Sequence, residues 1–275
     1  MELSREFDYL RPFEADLVRV GPQGDCGYVL PSSVAEKTSG IYSVGISTDW
    51  QFEVEMSTKN PRMKIRAFDR TSGWMVFAYV ALRDLLKGDP SELEKMSLKA
   101  RMKSAAKYLK LSLQFRMFFI GKRRFSRRWV RLTSTNNSEI AFQDSIQDLF
   151  DSHDVLVKID IEGGEYEIAN PLIECLNKNS ERINCVVMEF HDTNSRRVEF
   201  EAFVKSVSTL FPIVHLHGNN CVAVANDGLP EVLEITFARD CLNRFSSNLR
   251  FPVAGLDYPN DKSLPDITFS FVAAN

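Results

Sequence analysis

The chain of 275 residues is 44% hydrophobic and 26% charged, with a formal net charge of −3, proportions ordinary for one globular domain or one domain carrying an insert. No apolar run approaches the length of a membrane span, and the N-terminus lacks the apolar region of a signal peptide. Five widely spaced cysteines without a CxxC argue against a disulfide framework or a cysteine zinc site, so a reducing cytoplasm is the expected compartment.

The charge is unevenly spread. Residues 95–131 carry thirteen Lys or Arg and no Asp or Glu, which leaves 21 basic and 37 acidic residues, or −16, elsewhere. That asymmetry points to a local anionic partner and away from general nucleic-acid binding.

Residues 11–31 form two short apolar runs around the turn signals Gly21-Pro22 and Gly24-Asp25-Cys26-Gly27. They read equally as a loop or hairpin ahead of the main domain and as a segment that folds over a ligand. Gly40 to Trp50 reads as a strand running into a loop, and Gln51 to Lys59 as a short helix. In strand-loop-helix geometry a nucleotide-like cofactor lies against backbone amides and a helix N-terminus. Gly45, Ser47 and Asp49 are its candidate contacts, although Gly45 alone matches the expected glycines and a plain βα turn explains the segment as well. Lys64 to Arg70 is the next strand. Asp69 and Arg70 stand at its end, 24 residues after Gly45, and an acid at about that spacing is placed to accept bonds from both hydroxyls of a ribose.

Gly73 to Leu86 is apolar and aromatic. A long helix is predicted over 90–120, started by Pro90-Ser-Glu-Leu-Glu. Leu98, Met102, Ala105, Leu109 and Leu113 form its apolar stripe, opposite Lys99, Arg101, Lys103, Lys107 and Lys110. Residues 87–131 thus read as a basic helical insert in a single domain spanning 1–275. Aromatic residues at Phe118, Phe119, Phe125 and Trp129 interleave the charges, a pattern suited to the interfacial zone of an anionic membrane surface. The competing reading is a solvated helix that packs on the domain, and the same patch suits an acidic glycan.

Ser138 to Phe150 reads as a short strand and an amphipathic helix. Val155-Leu-Val-Lys-Ile-Asp-Ile161 is a buried strand with Lys158 intruding, followed by Glu162, Gly163, Gly164 and a helix to Asn177. Ile183 to Asp192 is a second buried strand ending in Glu189, His191 and Asp192, and Ser195 to Phe211 is a helix. Pro212 to Val224, bent at Gly218, and Val232 to Ala238 read as an antiparallel pair, and 243–275 as irregular cover. Alternating strands and helices that finish in two successive strands define an α/β fold: a mostly parallel sheet ending in an antiparallel hairpin. Polar residues collect at the predicted strand ends, at Ser47 and Asp49, Asp69, Asp160 and Glu162, His191 and Asp192, and His217 and Asn219. Ligands of open α/β sheets bind outside the carboxyl ends of strands.

Lys158-Ile-Asp-Ile-Glu-Gly-Gly-Glu165 resembles the hallmark of the FkbM-type methyltransferases. Arg19 to Pro31 resembles an N-terminal element of a subset of that family, and Phe68-Asp69, Met188 to Asp192 and His215 to Asn220 fall where related sequences carry similar strings. The resemblance covers about residues 17–238 apart from the insert. It implies a class I, Rossmann-like fold, S-adenosylmethionine as cofactor, and O-methylation of a hydroxyl, often on a sugar of a glycan or glycolipid. A single glycine in the first loop and Cys26 in the N-terminal element depart from the family pattern.

A sugar hydroxyl is a poor nucleophile and needs a base or a metal to take its proton. Asp160, Glu162, His191 and His217 are the available bases. His191 ranks first because histidine titrates nearest neutrality, with Asp160 and Glu162 orienting substrate or the cofactor amine. The alternative is Mg²⁺ held by the oxygens of Asp160 and Asp192. Two other functions compete: a non-catalytic glycan-binding module on the same fold, motivated by the reduced glycine loop, and a nicotinamide dehydrogenase, against which the C-terminal strand pair and the hallmark both speak.

Overall fold

The computed structural model describes residues 1–86 and 97–273. After a two-residue strand β1 (Glu2–Leu3), the N-terminal segment is a hairpin of β2 (Leu17–Val20) and β3 (Tyr28–Pro31), followed by α1 (Ser32–Lys37). The first half of the sheet is β4 (Gly40–Val44), α2 (Gln51–Lys59), β5 (Lys64–Phe68), α3 (Trp74–Leu86), α4 (Leu98–Phe118) and β6 (Arg123–Ser126). A short parallel pair, β7 (Trp129–Arg131) and β8 (Glu139–Ala141), leads through α5 (Phe142–Ile146). The second half is β9 (Val155–Ile159), α6 (Ala169–Lys178), β10 (Ile183–Phe190), α7 (Arg197–Ser208), β11 (Ile213–Gly218) and β12 (Leu233–Ala238). The tail adds β13 (Arg250–Phe251) and β14 (Phe269–Phe271), which pair with each other and with β1.

The seven-stranded sheet runs β6-β5-β4-β9-β10-β12-β11. The first five strands are mutually parallel, and β12 runs antiparallel to both of its neighbours. Numbered within the sheet in chain order, this is 3-2-1-4-5-7-6, the arrangement of the class I methyltransferase fold. The expected antiparallel pair of C-terminal strands is present, with β12 between β10 and β11.

Each central strand is buried on both faces, as β-branched runs without alternation predict. One face packs Tyr42, Val157, Met188 and Ile235 against α5, α6 and α7, whose Phe142, Leu172, Phe200 and Val204 are fully enclosed. The other packs Ile41, Leu156 and Val187 against α1, α2, the hairpin and α3.

That second face turns polar toward the carboxyl ends. Ser43, Lys158, Val187, Thr236 and His215 stand in one register row across the sheet. Residues two apart share a face, so Glu189, Glu234 and His217 form the next row on the same side. The hairpin covers this layer, with the Thr236 hydroxyl donating to the Val29 carbonyl at 2.6 Å. The tail closes it through Asp257, Asn260 and Asp266. Residues 17–31 form the hairpin expected on the structural reading of this segment.

The basic segment differs from expectation in two ways. Residues 123–126 are the edge strand of the main sheet, so the segment is not simply inserted beside the domain. Its helix starts at Leu98, where the Ser97 hydroxyl caps the Ala100 amide at 3.3 Å; the Pro90 start signal lies outside the described residues. Moreover, the helix buries Ala105, Ser112 and Phe115, whereas Leu98, Met102, Leu109 and Leu113 face outward. Periodicity identified the helix but not the side that docks, because α3 offers small and polar contacts: Ser112 donates to the Trp74 carbonyl and Ser104 to Asp84.

Candidate active site

The sheet reverses its winding between β4 and β9, and such a switch point opens a crevice at the carboxyl ends of strands. Here it is a cavity of about 540 Å³ between the ends of β4, β5 and β9, within the range of small-ligand sites. The two halves of the sheet touch at its floor. A Cβ on Gly45 would lie 1.5 Å from the Asp160 carbonyl oxygen, and Gly45 also has φ +77°, so no other residue fits there. Lys158, buried beneath, donates to the Gly45 carbonyl at 2.8 Å and lies 3.9 Å from the Glu53 carboxylate. Burial opposes its charge, but Glu53 and Asp160 outweigh that and raise its pKa.

Three non-glycine residues around the crevice hold left-handed backbone: Ser47, Glu162 and Asp192, with φ of 46°, 53° and 54°. Each ends the loop turn after a different strand, β4, β9 and β10. Strain of this kind concentrates where a fold positions functional groups.

Gly45, Ser47, Asp69 and Arg70 all line the cavity. Asp49 does not: its carboxylate accepts the Gln51 amide at 2.8 Å and serves the start of α2. The Asp69 carboxylate is heavily used within the protein. One oxygen accepts the amides of Ile46 and Ser47, and the other accepts the Thr71 amide and hydroxyl and the Ser72 amide, all within 3.1 Å. Five donors fill the lone-pair sites of a carboxylate, so Asp69 here ties the first loop to the second, and a ribose contact requires exchange of some of these bonds.

Asp160, Glu162 and Asp192 also line the cavity. Asp160 looks both ways. Behind it, its carboxylate, that of Glu189 and a ring nitrogen of His191 lie within 4.8 Å of one another, the one such group of three among the described residues. Burial, partly offset by Lys158, pushes the Asp160 carboxyl up to about 6. Glu189 is pushed further, by burial and then by the charges of Asp160 and Glu234, so the pair favours holding a proton. Asp192 lies outside this group, which alters the expected metal pair of Asp160 and Asp192.

His191 stands beside the cavity, not on its wall. Its Nδ1 is 2.5 Å from Glu165 and its Nε2 3.4 Å from Glu162. Burial disfavours the imidazolium, but the hydrogen bond and charge of Glu165 outweigh it, and the His191 pKa is raised. Glu165 is fully buried and fixes the ring; Tyr166 donates to the His191 carbonyl at 2.7 Å and fixes the backbone.

His217 is not part of the site. β12 separates its strand from β10, and its ring lies buried between Glu234 at 3.6 Å and Asp266 at 3.2 Å. Burial alone would lower its pKa, but those two carboxylates raise it to about 10, so it is a permanent cation at neutral pH.

Sequence reasoning missed the roles of Glu165, Glu189 and Lys158, all present in strings it quoted. It also read Arg128 to Arg131 as part of the basic helical insert, whereas they form one wall of the cavity, where Arg131 bridges to Glu167 at 2.8 Å.

No family model matches the chain, and no curated protein matches it. Solved structures do. SMU.776, a methyltransferase candidate complexed with SAH, aligns at 9% identity and a TM-score of 0.37 over 75% of this chain and 47% of its own, so the match spans about half of that protein. The fibrillarin pre-rRNA processing protein of Methanococcus jannaschii aligns at 9% identity and 0.34 over 76% of this chain and 69% of its own. Precorrin-6y C5,15-methyltransferase of Geobacter metallireducens GS-15 aligns at 12% identity and 0.31 over 75% and 85%. The strand order of this chain, not these partial superpositions, identifies its fold class. No helix among the described residues is long and apolar enough to cross a membrane.

Proposed function

We propose that the crevice binds S-adenosylmethionine and that the chain is an FkbM-type O-methyltransferase acting on a hydroxyl of a sugar in a glycan or glycolipid. The observation that carries this reading is the contact of Gly45 with Asp160 at the switch point, beside a histidine-carboxylate pair. It is supported by the position of the hallmark: Asp160, Glu162, Gly163 and Gly164 all line the cavity.

When bound, the cofactor supplies a methyl group on a positively charged sulfur. The backbone of Gly45 to Ser47, held by Asp69, shapes the floor on which it lies. Asp160 stands between the cavity and His191, so in this reading the acceptor hydroxyl enters on the β10 side. His191, with its Nδ1 proton directed at Glu165, uses Nε2 to take the hydroxyl proton. Glu162 and Asp192 orient the acceptor by hydrogen bonds. A divalent cation is the competing route to an activated hydroxyl. Its donors would be Asp160, Glu189 and His191, and the imidazole in that set suits a transition metal better than the Mg²⁺ that oxygen ligands favour.

The saturated Asp69 carboxylate favours a second reading, a glycan-binding module that has kept the crevice and lost methyl transfer. Calorimetric titration with S-adenosylmethionine separates the two. Micromolar binding, weakened by Asp69→Ala by about 1–3 kcal/mol, supports the enzyme. No binding by the folded protein leaves the module. Mass spectrometry of products from a panel of cell-envelope glycans then identifies the acceptor.

A further inference from the structure

Helices α3 and α4 pair antiparallel beside the β6 edge. Trp74, at the start of α3, lies under the Arg116 guanidinium at 5.3 Å, and Arg101, near the start of α4, donates to the carbonyls of Asp84 and Leu85. The pair turns Phe77, Ala81, Ala105 and Phe115 inward. Phe119 and Phe125 join Phe115 in an aromatic cluster on that inner side, so they are not free to meet a partner.

The outer side is apolar. On α3, Met75, Tyr79, Leu82, Leu85 and Leu86 are each more than half exposed. On α4 the same holds for Leu98, Met102, Leu109, Leu113 and Met117. At 3.6 residues per turn, Leu98, Met102, Leu109 and Leu113 fall within roughly 60° of arc, and Lys99, Lys103, Lys107 and Lys110 fill roughly the next 80°. A monomer rarely leaves an apolar surface of this extent uncovered.

We propose that the outer side of α3 and α4 docks on an anionic lipid bilayer. The Leu and Met side chains of both helices enter the acyl boundary while the lysine strip of α4 meets the headgroups. Charge selects this occupant. From Ser97 to Arg131 the chain has no acidic residue, so a second copy on the same surface would set lysine against lysine across a two-fold axis. This docking does not depend on the activity of the crevice.

The test is flotation of the full chain with phosphatidylcholine vesicles, with and without phosphatidylglycerol, at low and moderate salt. Co-flotation should require the anionic lipid and fall with salt. Leu109→Glu with Leu113→Glu, both at exposed positions, should abolish it with the circular dichroism spectrum unchanged. Each neutralisation among Lys99→Gln, Lys103→Gln, Lys107→Gln and Lys110→Gln should lower partitioning roughly fivefold. Failure to float at low salt, or equal flotation with neutral vesicles, overturns the proposal. So does a concentration-dependent dimer that Leu109→Glu disperses, because the occupant is then a second copy.

Discussion

His191 and His217 stand on the same half of the sheet, each with two carboxylates within 3.6 Å, yet they are different chemical objects. His191 has one buried partner, Glu165, and one largely exposed partner, Glu162, on a loop beside a cavity. His217 is enclosed, with Glu234 and Asp266 on opposite ring nitrogens. The first imidazole has a raised pKa but keeps one nitrogen near solvent, so it can exchange a proton with a ligand. The second is held as a cation up to about pH 10 and neutralises a buried acidic row. Sequence placed both at strand ends and ranked both as bases. What distinguishes them is which strand β12 pairs with and where the tail lies.

The comparison can be broken at three places. His191→Ala should have the largest effect, cutting turnover about 10²–10⁴-fold with S-adenosylmethionine affinity near that of the wild type. A parallel loss of cofactor binding would reassign the residue to the cofactor site.

His217→Ala should act on stability instead. Removing one partner of a buried ion pair costs about 3–5 kcal/mol, readable by urea denaturation. Its folded pKa lies above the unfolded value of about 6.5, so the stabilisation is complete below that pH and is lost as pH rises toward about 10. The gap between wild type and variant should therefore close across that alkaline range. A gap that instead closes on acidification would contradict the cationic assignment.

Glu165→Gln should have the smallest effect and the most diagnostic one. The amide oxygen still accepts the Nδ1 proton, but the negative charge that raises the His191 pKa is gone. The base is active when neutral, so the rate rises with pH through the His191 pKa, and the variant's acid limb should move to lower pH. An unmoved limb would mean that another group, Asp160 first, limits the rate.

Much of the fold was legible because its strands are continuous β-branched runs and its helices carry clear boundaries. α2 falls on the predicted residues, and β4, β5, β9, β10 and β12 fall inside theirs. The crevice was legible for a related reason: strand ends carry polar residues only where something needs them. Gly45, Asp69, Asp160 and Glu162 do meet there. The errors share a cause as well. One of the two readings of the α4 stripe packed it on the domain, because apolar residues ordinarily bury, yet the side that packs carries Ser104, Ala105, Ser112 and Phe115, where small side chains let α3 approach. Arg128 to Arg131 were read with the helix they follow, although β6 returns the chain to the sheet and sets them on the cavity wall.

Local sequence was sufficient for the strands of the central sheet other than β6, the parallel α/β class and the identity of the acids at each strand end, because those follow from side-chain periodicity and from glycine at tight turns. It was not sufficient for pairings across distant segments. That Glu189 faces Asp160, that Glu165 buries against His191, and that Asp266 reaches His217 from the tail all depend on sheet register and on a seventh strand slipped between two others. A one-residue change of register in β10 or β11 would turn Glu189 or His217 to the opposite face, away from the loop and tail groups that meet them, so the chemistry of the site exists only once the sheet has formed.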